Sequence, residues 1–143
     1  MSKSSSVASV LRSISDDMSL GLYRSIANSN GERGDDLLEK TKITRKQYYS
    51  RLSSLTKAGL IKRKNGKYSL TAFGKVVYES EKSIENAFNI YWKLKAVDSI
   101  GISSEIPKEE YSKIVDALID SYKIKDILTN RDKTKPEMPV SNK

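Results

Sequence analysis

The side chains best suited to chemistry in this sequence are basic, and they are concentrated in one segment. Residues 40–78 contain no Asp or Glu but hold 11 of the 26 Lys and Arg residues. The rest of the chain has 15 basic against 18 acidic residues, so this segment supplies the whole net charge of +8. A positive field focused in this way is typical of a surface that binds a polyanion. A basic face that only contacts solvent is the alternative, but the complete lack of acid favours a nucleic acid.

Enzymatic and metal chemistry find little support in the composition. The chain has no Cys and no His, so it lacks thiolate nucleophiles, thiolate metal ligands and the commonest general base. The hydrolase-like pattern Ser54-Leu-Thr-Lys57 lacks the companion motifs of that chemistry. Adjacent carboxylates such as Glu109-Glu110 are explained by the dipole at a helix start. We therefore predict no enzyme activity, no catalytic or metal-binding residue and no cofactor.

The length and hydropathy of the chain favour one small cytoplasmic domain. At 143 residues the sequence has the length of a single domain. No stretch approaches the roughly 18 consecutive apolar residues of a membrane span, and the first residues lack the apolar region of a signal peptide. We expect no contact with a membrane.

Cap and turn signals locate the elements that position the basic segment. Thr44 and Gln47 have the spacing of a capping box, which opens a helix that Gly59 ends. Asn65-Gly66 is the strongest two-residue hairpin signal, because both positions tolerate the positive φ of a type I′ turn. The predicted order is helix, helix, turn, helix and two-stranded hairpin. A long helix from about Thr71 to Ser99 and a C-terminal helix ending near Leu128 follow.

The expected fold is mainly α with a small β-hairpin. We assign residues 1–14 to an N-terminal extension with a possible short helix, and 15–75 to a winged helix-turn-helix domain. Residues 76–128 are expected to form a helical dimerisation region, and 129–143 a disordered tail.

The helix after Thr44 is predicted to have one buried face and one solvent-exposed face. At 100° per residue Tyr48, Leu52 and Leu55 fall together and must face the core, whereas the opposite side carries neither acid nor aliphatic residue. Such a helix can enter the major groove while the hairpin tip reaches the backbone or minor groove. The predicted DNA-contacting residues on both elements are Thr44, Arg45, Lys46, Gln47, Tyr49, Ser50, Ser53, Lys57, Arg63, Lys64 and Lys67.

The run from Ile43 to Lys75 resembles the winged-helix regulators of the ArsR/MarR-like type, in particular the small archaeal ones. The shared pattern is a core residue, two leucines and a Gly-Leu-Ile step before a basic hairpin, here Tyr48, Leu52, Leu55, Gly59, Leu60 and Ile61. The segment Leu70-Thr71-x-x-Gly74-Lys75 before a long helix is also typical of these proteins. The resemblance covers about residues 15–100 and implies a dimeric, DNA-binding transcription factor. Since Cys and His are absent, a thiolate metal sensor is excluded.

We therefore expect a sequence-specific regulator that binds double-stranded DNA as a homodimer, its small-molecule effector unknown. A winged helix used for protein contact in a transcription or chromatin assembly, and a non-specific nucleic-acid or RNA binder, are the alternatives. An apolar stripe with the seam spacing of a helix pair supplies the candidate dimer surface. The candidate interface residues on it are Val77, Ile84, Phe88, Tyr91, Trp92 and Leu94.

Overall fold

A computed structural model describes residues 6–29, 34–101 and 106–129. The fold is mainly helical with one antiparallel hairpin, as the sequence predicts. Its elements are α1 (Val7–Ser13), α2 (Asp17–Asn28), α3 (Gly34–Thr41), α4 (Arg45–Lys57), β1 (Ile61–Lys64), β2 (Lys67–Leu70), α5 (Ala72–Asn89), α6 (Tyr91–Gly101), α7 (Lys108–Leu118) and α8 (Tyr122–Thr129). Apart from Thr129, which closes α8, the predicted tail lies outside the described residues. None of the helices in this described part is long and apolar enough to cross a membrane.

The chain divides into two compact units, Met1–Glu81 and Lys82–Lys143, whose boundary falls inside α5. The first unit has its own apolar core, built from buried side chains of α2, α3, α4 and the hairpin. Val10 and Ile14 from the segment expected as an N-terminal extension also belong to this core. The second unit has a separate core around Val97, Val115, Ile119 and Ile124.

The hairpin forms as its turn signal predicts. Asn65 and Gly66 have φ values of 55° and 78°, the positive values that a two-residue type I′ turn requires at both central positions. Lys64 pairs with Lys67 next to the turn, and Ile61 pairs with Leu70 at the base. Burial of Ile61, Tyr68 and Leu70 anchors the hairpin to the first core.

The predicted helix from Thr71 to Ser99 is wrong in one respect, because the structure breaks it at Ile90 into α5 and α6. The Ile90 amide donates to the Ala87 carbonyl (3.2 Å), and the Ile90 carbonyl accepts from the Leu94 amide (3.1 Å). Asn89 is unfavourable inside a helix because its side chain competes for backbone hydrogen bonds. The break also leaves Ile90 and Leu94 packed against the second core.

The predicted C-terminal helix is likewise two helices. It is interrupted at residues 119–121, where Ile119 is extended and fully buried. The Ser121 hydroxyl accepts a hydrogen bond from the Ile124 amide (3.3 Å) and so caps α8. Asp120 and Ser121 are residue types that favour the start of a helix. Apolar residues recur at helical spacing on both sides of them, so the sequence pattern suggests one continuous helix.

Candidate nucleic-acid interface

The start of α4 is fixed by the two residues of the predicted capping box. The Thr44 hydroxyl accepts from the Gln47 amide (3.1 Å), and the Gln47 side-chain oxygen accepts from the Thr44 amide (3.2 Å). Both residues belong to the predicted DNA-contacting set, and both also stabilise the start of this helix. A bidentate contact of Gln47 with adenine needs its side-chain oxygen as well as its nitrogen. Because an amide oxygen can accept two hydrogen bonds, Gln47 would have to share this oxygen between the Thr44 amide and the base.

The two faces of α4 are divided as the periodicity predicts. Tyr48, Leu52 and Leu55 are buried in the first core. The opposite face carries exposed basic and hydroxyl side chains, namely Arg45, Lys46, Ser50, Ser53 and Lys57. Tyr49 lies between the two faces, with its ring edge-on to Tyr48 at 5.2 Å between ring centres and 46% of its surface exposed. The exposed face of α4 presents hydrogen-bond donors and positive charge without a carboxylate.

The hairpin tip adds three further cations from the predicted set, Arg63, Lys64 and Lys67, all of them exposed. Lys64 and Lys67 lie directly opposite each other across the two strands. Like charges in this arrangement destabilise a hairpin, so these lysines must serve another purpose, either to block the exposed strand edges or to attract an anion. Arg63 pairs with Tyr68, and its guanidinium carbon lies 5.9 Å from the centre of that ring.

Arg51 belongs to the acid-free segment but has a structural role. Its guanidinium lies 3.2 Å from a carboxylate oxygen of Asp16, and the same carboxylate caps α2 by accepting from the Ser19 amide (3.1 Å). The hydrogen bond from Ser19 and the charge of Arg51 lower the pKa of Asp16 below its usual value. This link between α2 and α4 joins residues 35 positions apart, and nothing in the local sequence pattern indicates it.

Asp16→Ala is expected to lower the free energy of unfolding by about 1 kcal/mol at neutral pH, the usual contribution of a capping side chain. Folding lowers the pKa of this carboxyl. Its contribution to stability is therefore complete above the pKa that it has in the unfolded chain, and it is lost as the pH falls through the pKa that it has in the folded protein. Urea denaturation of both proteins at neutral pH and at about pH 2 measures this. Asp17→Ala, which removes an exposed acid one residue later, is the control. If Asp16→Ala lowered the free energy of unfolding in acid by as much as at neutral pH, the ionised Asp16 carboxylate would not be the stabilising group.

Hydrogen bonds from Thr71 join the end of α4, the hairpin and α5. The Thr71 hydroxyl donates to the Gly59 carbonyl (2.5 Å) and accepts from the Gly74 amide (2.8 Å). The Thr71 amide donates to the Leu60 carbonyl (3.0 Å), and the buried Tyr23 hydroxyl donates to the Gly74 carbonyl. Burial, with smaller effects from Glu81 and Tyr78, raises the pKa of Tyr23, so its hydroxyl, which is protonated at neutral pH in any case, stays a donor in alkaline solution as well. These bonds fix the hairpin relative to α4.

The six candidate dimer residues do not form one exposed set. Val77 is half-buried against the first core, and Leu94 is half-buried against the second. The other four all lie in the second unit, where Ile84 is 67%, Phe88 77%, Tyr91 50% and Trp92 76% exposed. Tyr91 and Trp92 contact each other edge to face, and the Lys95 ammonium lies within 6 Å of both ring centres.

Comparison of the chain with protein-family models, with curated proteins and with solved structures finds no match.

Proposed function

We propose that this chain is a sequence-specific transcriptional regulator that binds double-stranded DNA through a winged helix-turn-helix. In this assignment α3 and α4 form the helix-turn-helix, α4 is the recognition helix and the hairpin is the wing. The observation that carries the proposal is the acid-free surface of the first unit, which comprises the exposed face of α4 and the hairpin tip. Both elements are packed on the same core, so the protein presents them together.

The connection between α3 and α4 has the length of a helix-turn-helix turn. Residues 42–44 separate the two helices, and Lys42 adopts a left-handed φ of 53°. A turn of three or four residues is the usual connection in this motif. Both helices pack against α2, which leaves the outer face of α4 open to a ligand.

The side chains of this outer face suit the major groove. Ser50 and Ser53 are small, so the helix can approach the groove floor closely, and their hydroxyls can bond to any base edge. Arg45 and Lys46 in the first turn can reach guanine edges or phosphates. The wing residues Arg63 and Lys64 would contact the sugar-phosphate backbone or the minor groove.

Replacing both Arg63 and Lys64 by Ala is expected to weaken binding to all DNA sequences alike and to reduce its salt dependence. Each phosphate contact releases counterions and contributes about 0.9 to the slope of log affinity against log salt, so losing two should flatten it by about 1.8. Fluorescence anisotropy with a labelled duplex over a range of salt concentrations gives the slope. Lys123→Ala, at an exposed position of the second unit, should leave the slope unchanged. Wild-type binding that is independent of salt would refute the proposal.

Gln47→Glu and Ser50→Ala are both expected to change the preferred DNA sequence. Ser50→Ala should leave the total affinity nearly unchanged, whereas the carboxylate of Gln47→Glu should also weaken binding to all sequences because it repels the phosphates. Glutamate at this position can keep the capping bond with Thr44 but has no amide donor for a base, so this variant separates base reading from helix capping. A bidentate base contact provides about 1–3 kcal/mol of discrimination. Binding-site selection from random duplexes measures the preference, with random RNA as the competitor that identifies a non-specific binder. The same preferred motif in wild type and both variants would contradict base reading by these residues.

A further inference from the structure

The two helix interruptions of the second unit line one cavity. Asn89 and Ile90 lie at the break between α5 and α6. Asp120 and Ser121 lie in the connection between α7 and α8. All the lining residues belong to one compact unit, so the cavity is a property of that unit and involves none of the residues proposed to contact DNA.

The size of the cavity limits what it can hold. Its volume is about 230 Å³, which is below the range of about 300–1,000 Å³ that is usual for sites of drug-sized ligands. A ligand must therefore be smaller than a typical drug molecule, of about the size of a single amino acid.

The inner surface of the cavity is apolar and held in place. Ile124 is buried in the second core, and Ile90 packs against that core. The backbone bonds of Ile90 with Ala87 and Leu94 fix the first interruption, and the bond from the Ile124 amide to the Ser121 hydroxyl fixes the second. A ligand would therefore enter a largely formed site and would meet apolar surface at its base.

The rim of the cavity carries one charge of each sign. Lys93 from α6 supplies an ammonium group, and Asp120 supplies a carboxylate. Asn86 and Asn89 add two side-chain amides, each of which can both donate and accept hydrogen bonds. All four side chains belong to exposed residues, so a ligand from solution can reach them.

The fold does not pair the two charges of the rim. Within the described part of the chain no ion pair or hydrogen bond engages the side chain of Lys93 or Asp120, whereas Lys125 of the same unit pairs with Asp116 (3.8 Å). An ammonium and a carboxylate that line one small cavity suit a ligand that carries both charges itself. A simple anion or a simple cation would use only one of them.

We propose that this cavity binds a small zwitterion, an α-amino acid with an aliphatic side chain. The ligand carboxylate lies at Lys93, its ammonium group lies at Asp120, and its side chain lies on Ile90 and Ile124. The inference stands independently of the proposed DNA binding, since the cavity needs only the folded second unit.

The test is an amide-detected NMR titration of the full chain with L-valine, and with isovalerate and isobutylamine, which each lack one of its two charges. We expect saturable shifts at Asn86, Lys93 and Ser121, with a dissociation constant for valine of about 1 mM. Isovalerate and isobutylamine should each bind about threefold more weakly, the effect of one solvent-exposed charge pair.

Two variants separate the roles of the two charges. Lys93→Gln should weaken binding of valine and isovalerate about threefold and leave isobutylamine unchanged. Asp120→Asn should weaken binding of valine and isobutylamine by the same factor and leave isovalerate unchanged. Lys123→Gln and Asp98→Asn, at exposed positions outside the cavity, should have no effect on any of the three ligands.

Shifts that do not saturate by about 20 mM valine would overturn the proposal, given a scale of about 1 mM for small ligands. Equal binding of the three ligands to wild type would also overturn it, because the ligand charges would then make no contact. The same holds if each variant weakened all three ligands alike, since such a loss would reflect a change of the fold and not the loss of one charge pair.

Discussion

Gly74→Ala is expected to lower the free energy of unfolding by about 3 kcal/mol or more. A Cβ at this position would lie 2.0 Å from the Leu60 carbonyl oxygen and 2.9 Å from its carbonyl carbon. Both atoms belong to the backbone that connects α4 to the hairpin, so no side-chain rotation can relieve the contact. The chain would have to move α5 away from this connection, which would break the bonds that Thr71 and Tyr23 make there.

Gly21→Ala is the matched control for this effect. Gly21 lies inside α2, and a Cβ there would meet no atom within 4 Å. The same change should therefore raise the free energy of unfolding by about 0.5–1 kcal/mol, because alanine favours the helix over the unfolded chain. Urea denaturation of both variants measures the two changes. A Gly74→Ala protein as stable as wild type would show that α5 does not pack this closely on Leu60.

Elements with local signals could be predicted from the sequence. The capping box of Thr44 and Gln47 and the left-handed Gly59 and Asn65-Gly66 depend on residues within a few positions of one another. The interruption at Ile90 could not be predicted, because it depends on which side chains the second core accommodates. Apolar residues that recur at helical spacing are compatible with one long helix and equally with two successive helices.

In the candidate interface, too, the burial of individual side chains could be predicted from the local sequence, whereas a contact between distant residues could not. Periodicity assigns Tyr48 and Leu52 to the core and Ser50 to solvent, and burial agrees with each. Charge counting, in contrast, treats Arg51 as part of the basic surface, whereas an ion pair with Asp16 engages it. Composition gives the sign of a surface, but only the fold shows which cations pair internally.

The proposed function leads us to expect a two-fold dimer, because a single winged helix reads few base pairs. Burial divides the candidate residues into two kinds. A charge at Val77 or Leu94 would disturb a core and would test folding instead of association. Ile84 and Phe88 lie four residues apart in α5 and are 67% and 77% exposed, and Trp92, which follows the break at Ile90 and belongs to α6, is 76% exposed. Large apolar side chains exposed at such a spacing mark a surface that another helix can cover.

Ile84→Asp is therefore expected to give a folded monomer that binds an operator about 100-fold or more weakly, because two linked half-sites gain that much from joint binding. Light scattering should give twice 16.1 kDa for wild type and 16.1 kDa for the variant. Trp92 is the only tryptophan, so its emission should shift to the red on dilution as the dimer separates. Ile127→Asp, at a similarly exposed isoleucine of α8, should leave the mass and the affinity unchanged. A wild-type mass of one chain at all concentrations would exclude the dimer, and Ile84 would then have no role in DNA binding.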